Sequence, residues 1–176
     1  MIEKILIDLA KQRKISQISL RYFNAAGADK DCEIGEWHEP ETHLIPLAIN
    51  SALKGSILNV FGTDFSTPDG TAVRDYIHVE DLADAHIKAV EKIQSGIESE
   101  CINLGTGRGY SVKEIIAAIN ELDMKVNFEN ISKRDGDPAF LVADPTKASN
   151  ILNWKPKNSG IKNILESAIN WHKKNG

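Results

Sequence analysis

The chain has 176 residues, of which 41% are hydrophobic and 26% are charged, and its formal net charge is −4. This size and hydrophobic fraction predict one folded domain with a substantial core, which excludes a disordered chain. The negative charge argues against nucleic-acid binding through a broadly basic surface, so only individual arginines are available to bind phosphate.

Cysteine usage and the N-terminal segment bear on location. Cys32 and Cys101 lie far apart and form no Cys-x-x-Cys pair, so neither a zinc site nor a disulfide framework is predicted. Glu3, Lys4 and Asp8 interrupt the first apolar run, which therefore fits neither a signal peptide nor a membrane span. We expect a cytoplasmic protein without a metal, a membrane contact or a nucleic-acid partner.

Helical and strand patterns alternate from the N-terminus onward, which indicates an α/β fold. A period of apolar residues predicts an amphipathic helix over residues 2–13. Residues 15–23 are rich in β-branched and aromatic types and predict a strand that ends in a turn over residues 24–27. Residues 28–41 are polar and predict a loop.

The alternation continues to the C-terminus. Spacing of apolar residues predicts a helix over 44–54, followed by a short strand over 57–61. Asp81 is expected to cap a helix that runs to about residue 95. Further predicted elements are a strand over 101–104, a strand near 125–129, a proline-bearing loop after it, and a helix over 161–173.

The glycine-rich segment over residues 105–109 could be mistaken for a dinucleotide site. Its pattern is Gly-x-Gly-x-Gly, and its last glycine comes one position early for the Gly-x-Gly-x-x-Gly fingerprint. Ser111 and Glu114 instead predict a capping box for a helix over 112–122. We therefore favour a strand-to-helix turn that uses the backbone freedom of glycine.

Residues typical of nucleophilic or metal catalysis are not evident. The sequence has no Gly-x-Ser-x-Gly elbow, which argues against a hydrolase. His78, His86 and His172 have no cysteine or carboxylate at a spacing typical of metal sites, so ordinary structural roles are expected.

Five segments carry the strongest functional signal. Residues 21–28 read Arg-Tyr-Phe-Asn-Ala-Ala-Gly-Ala, residues 42–46 read Thr-His-Leu-Ile-Pro, and residues 134–137 read Arg-Asp-Gly-Asp. Between them, residues 69–79 contain Asp-Gly-Thr and Val-Arg-Asp-Tyr-Ile-His-Val, and residues 103–107 read Asn-Leu-Gly-Thr-Gly. In this order they closely resemble the UDP-glucose 4-epimerase family of the extended short-chain dehydrogenase/reductase superfamily, over essentially the whole chain.

The resemblance implies a particular α/β architecture. Strands near 18–23 and 101–104 would be edge strands of a Rossmann-type parallel sheet, beside the small C-terminal substrate-binding domain of that superfamily. The implied division assigns residues 1–27 and about 80–122 to the Rossmann half, and about 28–79 and 123–176 mostly to the substrate domain.

The catalytic part of the family pattern is missing from the sequence. The family uses NAD and a Tyr-x-x-x-Lys pair to remove the proton of the sugar 4-hydroxyl during hydride transfer. No tyrosine here has lysine at that spacing, since Lys113 follows Tyr110 one position early, and residues 1–21 contain neither glycine nor tyrosine. We expect the catalytic pair and the NAD motif to lie upstream of Met1, so that this chain alone is inactive and does not bind NAD.

The resemblance assigns the nucleotide contacts to this chain. It implies that Arg74 and Arg134 bind the diphosphate, which suits planar guanidinium groups, and that Asp137 accepts hydrogen bonds from the ribose. Asn24 matches the asparagine that touches the UDP-sugar. By residue type alone, exposed arginines are usually just solvated, and Asn24 and Asp137 are common turn residues.

Further roles follow from the same resemblance. Tyr22 and Phe23 would approach the nicotinamide side of NAD, or would otherwise be core residues. Residues 59–61 match the strand that contacts uracil, largely through its main chain. The complete predicted substrate-binding set is Asn24, His43, Leu44, Asn59, Phe61, Arg74, Tyr76, Arg134, Asp137 and Leu141.

Two departures from the family pattern leave the sugar open. Thr42 and His43 stand where many members have two asparagines. Leu141 occupies a position where a tyrosine or a small residue tunes tolerance for N-acetylated sugars. A leucine leaves more room than a tyrosine, so we hypothesise that the complete site admits a UDP-N-acetylhexosamine.

Three functional hypotheses remain open at this point. The first is the UDP-sugar-binding C-terminal portion of an epimerase, which relies on a missing N-terminal half. The alternatives are a stand-alone, non-catalytic nucleotide-sugar-binding module and one half of a split enzyme. A homodimer or other self-association is expected in each case, because an open sheet edge and the apolar face of residues 2–10 need a partner.

Overall fold

The fold is built from six helices and eight strands in the computed structural model, which describes residues 1–12 and 14–175. The helices are α1 (Ile2–Lys11), α2 (Leu44–Lys54), α3 (Val79–Gln94), α4 (Val112–Asn120), α5 (Thr146–Leu152) and α6 (Ile161–Asn175). The strands are β1 (Ile18–Tyr22), β2 (Asn24–Ala26), β3 (Ile57–Phe61), β4 (Val73–His78), β5 (Glu100–Leu104), β6 (Gly109–Ser111), β7 (Asn127–Ile131) and β8 (Phe140–Leu141). The predicted α/β class is confirmed.

Strand β4 is the central strand of the largest sheet among the described residues. It pairs in parallel with β2 and β8 and antiparallel with β6. Two further parallel pairs, β1 with β5 and β3 with β7, lie apart from it. The β2–β4 register places Asn24 beside Tyr76, and the β4–β8 register places Arg74 beside Leu141.

Two hydrophobic cores support these strands. The first lies among α2, α4, α6 and β3, and its fully buried residues include Ile49, Ile115 and Ile164. The second lies among α3, α5, β4 and β5, and it centres on Ile102 and Trp154. Each fully buried aliphatic side chain contributes about 1.5–3 kcal/mol relative to an exposed one. Helix α4 belongs to the first core, whereas α3 and β5 belong to the second.

Several sequence predictions need correction. The predicted turn over 24–27 contains β2, because that segment pairs with β4. Strand β4 itself was not predicted, since it is buried on both faces and shows no polar alternation. Helix α5 lies where only a loop was expected, and the last predicted residue of α1, residue 13, lies outside the described residues.

The start of helix α3 also differs from the prediction. His78 is the N-cap, because its Nδ1 accepts a hydrogen bond from the backbone N–H of Glu80 at 3.1 Å. Asp81 is not the cap as predicted. Its buried carboxylate instead accepts hydrogen bonds from the backbone N–H of Lys157 and Asn158, which anchors the chain between α5 and α6.

The glycine-rich turn and helix α4 follow the sequence pattern. Ser111 Oγ accepts from the backbone N–H of Glu114 at 3.0 Å, and the Glu114 carboxylate accepts from the Ser111 N–H at 2.7 Å. This capping box is the predicted one, although α4 ends at Asn120. Gly107 has a φ of 76°, in the left-handed region that glycine tolerates best.

Helix α1 packs only loosely against the rest of the described chain. None of its residues is buried, and its Glu3 carboxylate forms an ion pair with Arg21 of β1. Ile2 and Ile5 are 71% and 53% exposed. Within residues 1–12 and 14–175, no helix is long and apolar enough to cross a membrane.

Candidate functional site

One cavity of about 210 Å³ collects most of the predicted substrate residues. It opens where β3, β4, the start of α2 and the loop over 134–137 meet. Nine of the ten predicted residues line it: Asn24, His43, Leu44, Asn59, Phe61, Arg74, Tyr76, Arg134 and Asp137. The cavity is also lined by Thr42, Leu47, Leu58, Val60, Ala72 and Val112, which close its apolar side.

Arg74 is the most firmly held polar group of the cavity. Its side chain is 14% exposed, and Nη1 donates to the carbonyl oxygens of Val73 and Pro138, both at 2.8 Å. Nη2 donates to the carboxylate of Asp137. A guanidinium has five N–H donors, so within the described residues two remain for a ligand.

Arg134 presents its charge differently. Its side chain is exposed, and its guanidinium carbon lies 3.8 Å from the ring centroid of Phe61. Such a cation–π contact orients the guanidinium while leaving its edge open to solvent. Gly136, with a φ of 78°, allows the turn that brings Asp137 back toward Arg74. Two guanidinium groups therefore serve one small cavity.

Tyr76 and Asn24 form the floor of the cavity as neighbours on paired strands. Tyr76 is 5% exposed, and burial raises the pKa of its phenol above the ordinary value. The phenol therefore stays protonated at neutral pH and acts as a neutral hydrogen-bonding group. The Asn24 amide adds both a donor and an acceptor.

A second groove of about 630 Å³ adjoins the cavity and contains Tyr22 and Phe23. His43 lines both spaces. Among the described residues the groove lining includes no arginine or lysine, and apolar groups such as Ile34 and Val79 dominate it. Its acidic lining residues are Asp29, Glu36 and Glu80, whose carboxylates would repel a pyrophosphate.

Leu141 does not line the cavity. It lies on β8, in register with Arg74 and 46% exposed. Its predicted effect on sugar tolerance stays a prediction.

The role of Asp75 was not predicted from the sequence. Its fully buried carboxylate accepts hydrogen bonds from the backbone N–H groups of Thr106 and Gly107 at 3.0 Å and of Ala143 at 3.2 Å. The hydroxyl of Thr106 donates to it as well, at 2.6 Å. Two backbone donors of the glycine-rich turn are thus already occupied, which argues further against a phosphate site there. The sequence offered one signal for this role, namely an aspartate between Arg74 and Tyr76 in a segment that forms a buried strand.

The fold and the cavity together define an α/β protein with a polar cavity that is lined by two guanidinium groups. The family model described as "NAD dependent epimerase/dehydratase family" matches residues 1–105, so the chain belongs to that family. The UDP-glucose 4-epimerase of Rhizobium leguminosarum bv. trifolii is 49% identical over 98% of this chain and 53% of its own length. The chain spans about half the length of the curated relatives it matches.

Solved structures of relatives show the same architecture. The UDP-glucose 4-epimerase of Brucella ovis in complex with NAD is 44% identical, with a TM-score of 0.90 over 96% of this chain and 53% of that one. The enzyme of Bifidobacterium longum in complex with NAD+ and UDP is 37% identical, with a TM-score of 0.90 over 98% of this chain and 52% of that one. These matches confirm the resemblance to UDP-glucose 4-epimerases and to the extended short-chain dehydrogenase/reductase fold.

Proposed function

We propose that this chain forms the UDP-sugar-binding part of an enzyme that interconverts UDP-glucose and UDP-galactose. The observation that carries the proposal is the single cavity in which Arg74, Arg134, Asp137 and Asn24 converge. The named relatives support it, because they are UDP-glucose 4-epimerases and one of them was solved with UDP.

The nucleotide end of the ligand matches the charged end of the cavity. Arg74 is held by hydrogen bonds and Arg134 by its contact with Phe61. Both guanidinium groups can therefore donate hydrogen bonds to the diphosphate with little further loss of side-chain entropy. Asp137 is positioned by Arg74 and accepts hydrogen bonds from the ribose hydroxyls. Asn59 and Phe61 flank the uracil from β3.

The sugar end faces Asn24, Tyr76 and His43, next to the groove that contains Tyr22 and Phe23. The groove fits the nicotinamide ring, and NAD would supply hydride transfer at the sugar C4 through a transient 4-keto sugar. The residues of this chain orient the sugar and shield it from water. The sequence contains neither the glycine-rich NAD motif nor Tyr-x-x-x-Lys. We therefore propose that the chain binds UDP without catalysing epimerisation.

The division of the chain follows as part of the same proposal. Residues 1–27 and about 80–122 are assigned to the Rossmann part, and about 28–79 and 123–176 mostly to the substrate domain. Two helices cross this division, since α4 packs in the core of α2, α6 and β3, and α5 packs in the core of α3 and β5. The exposed apolar side chains of α1, including Ile2 and Ile5, supply a surface for self-association or for the N-terminal half.

Calorimetric titration of the whole chain with UDP and separately with NAD tests this function. We expect saturable UDP binding, no NAD binding and no epimerisation of UDP-glucose by the chain alone. Absence of UDP binding would contradict the proposed site. Tight NAD binding or epimerase activity would contradict the assignment of the catalytic groups to another part of the enzyme.

A further inference from the structure

Four side chains that can bind a metal ion converge beside the nucleotide cavity. Glu36, His38, Glu41 and His43, here the His–Glu cluster, each place one nitrogen or oxygen atom within 4.8 Å of the others. The cluster connects the loop before α2 to the residue that precedes Leu44. We propose that the His–Glu cluster binds one divalent transition-metal ion, with Zn²⁺ as its best match.

The separations between the ligand atoms suit a tetrahedral ion. His43 Nδ1 lies 2.7 Å from Glu36 Oε1 and 3.1 Å from Glu41 Oε1. His38 Nδ1 lies 3.3 Å from Glu36 Oε1 and 3.5 Å from Glu41 Oε2. Zn–N and Zn–O bonds of about 2.0–2.1 Å place tetrahedral ligands roughly 3.3 Å apart. The four His–Glu separations, from 2.7 to 3.5 Å, bracket that spacing.

Surrounding contacts hold two of the ligands in place. The Glu41 carboxylate accepts hydrogen bonds from the backbone N–H groups of Thr42 at 2.6 Å and His43 at 2.7 Å. Trp171 of α6 donates its indole N–H to the backbone carbonyl of Glu36 at 3.1 Å. Such outer contacts orient metal ligands and are typical of metal sites.

Charge also favours a cation here. The carboxylates of Glu36 and Glu41 approach the same point, and a bound cation would offset the repulsion between them. His38 and His43 both direct Nδ1 at these oxygens, so a divalent ion bound to neutral imidazoles would neutralise the pair. Among the described residues, Lys54 borders the adjoining cavity and adds a positive charge near these carboxylates, and the buried His172 lies on the same cavity.

The ligand types select the class of metal. Mixed imidazole and carboxylate ligands suit Zn²⁺, Co²⁺ and Ni²⁺, whereas Mg²⁺ and Ca²⁺ prefer oxygen ligands alone. Four protein ligands leave no open position, which is the arrangement of a structural rather than a catalytic zinc site. The bound ion would fasten the loop to the start of α2, where His43 borders both the cavity and the groove.

Titration of the tag-free chain with ZnCl₂ by calorimetry tests the site, with Co²⁺ as a spectroscopic probe. We expect one Zn²⁺ per chain and the visible absorption of tetrahedral Co²⁺. His38→Gln should weaken Zn²⁺ binding by more than about 100-fold, because loss of an outer contact alone costs about 10–100-fold. His86→Gln, a control at an exposed histidine on α3, should leave it unchanged.

A second variant separates loss of metal binding from loss of folding. Glu36→Gln preserves the size of the side chain and should abolish the tetrahedral Co²⁺ spectrum while the circular dichroism of the chain stays native. Absence of stoichiometric Zn²⁺ binding to the native chain, or equal binding by the His38 and His86 variants, would overturn the proposal.

Discussion

Replacing Asp75 with alanine is expected to lower the free energy of unfolding by about 3–5 kcal/mol, because each buried donor left without an acceptor costs about 1–3 kcal/mol. The Asp75 side chain is fully buried and binds the N–H groups of Thr106, Gly107 and Ala143. Its loss detaches the turn after β5 and the segment after β8 from the central strand. Urea unfolding followed by circular dichroism measures the change.

The matched control is Asp84→Ala on helix α3. The Asp84 side chain is 45% exposed, and its Oδ1 lies 4.0 Å from Nζ of Lys88. Exposed pairs contribute little, so the expected change is within about 0.5 kcal/mol. Equal destabilisation by the two variants would mean that the Asp75 hydrogen bonds do not hold these segments together.

Replacing Arg134 with alanine is expected to weaken UDP binding about 10- to 150-fold, because hydrogen bonds to charged groups contribute about 1.5–3 kcal/mol. The Arg134 side chain is exposed and rests on Phe61, so its removal should change the free energy of unfolding little. Calorimetric titration with UDP, alongside thermal unfolding of the same sample, separates the two effects.

Lys133→Ala provides the control for bulk charge. Lys133 is adjacent in sequence and has the same charge, but its Nζ pairs with Asp64 at 2.8 Å outside the cavity. Its removal should change UDP affinity less than about twofold, since exposed charges are strongly screened. If both variants weakened UDP binding equally, the affinity would come from general positive potential rather than from a specific contact by Arg134.

The sequence predicts most helices, because α2, α4 and α6 have clear apolar periods and α4 has a complete capping box. It predicts β4 poorly, since a central strand lacks polar alternation. The error at Asp81 has a related cause. A helix-start aspartate usually caps its own helix, and only the tertiary fold shows that residues 157–159 compete for this carboxylate.

The candidate site shows the same limits. The motif residues Asn24, Arg74 and Arg134 are separated by long stretches of sequence, and it is the parallel pairing of β2 with β4 and the turn at Gly136 that brings them to one cavity. Residue type and resemblance identified them. The His–Glu cluster was missed because its loop follows no helical or strand period, so side-chain convergence there depends on the folded backbone.

Chemical-shift mapping of UDP on the isotope-labelled chain tests the central claim most directly. The largest amide shift changes should fall on the cavity residues, which include Asn24, Asn59, Arg74, Arg134 and Asp137. The groove around Tyr22 and Phe23 should change less, because UDP lacks the sugar that would reach it. Changes centred on the groove, or spread over the surface without saturation, would contradict a UDP site formed by the two arginines.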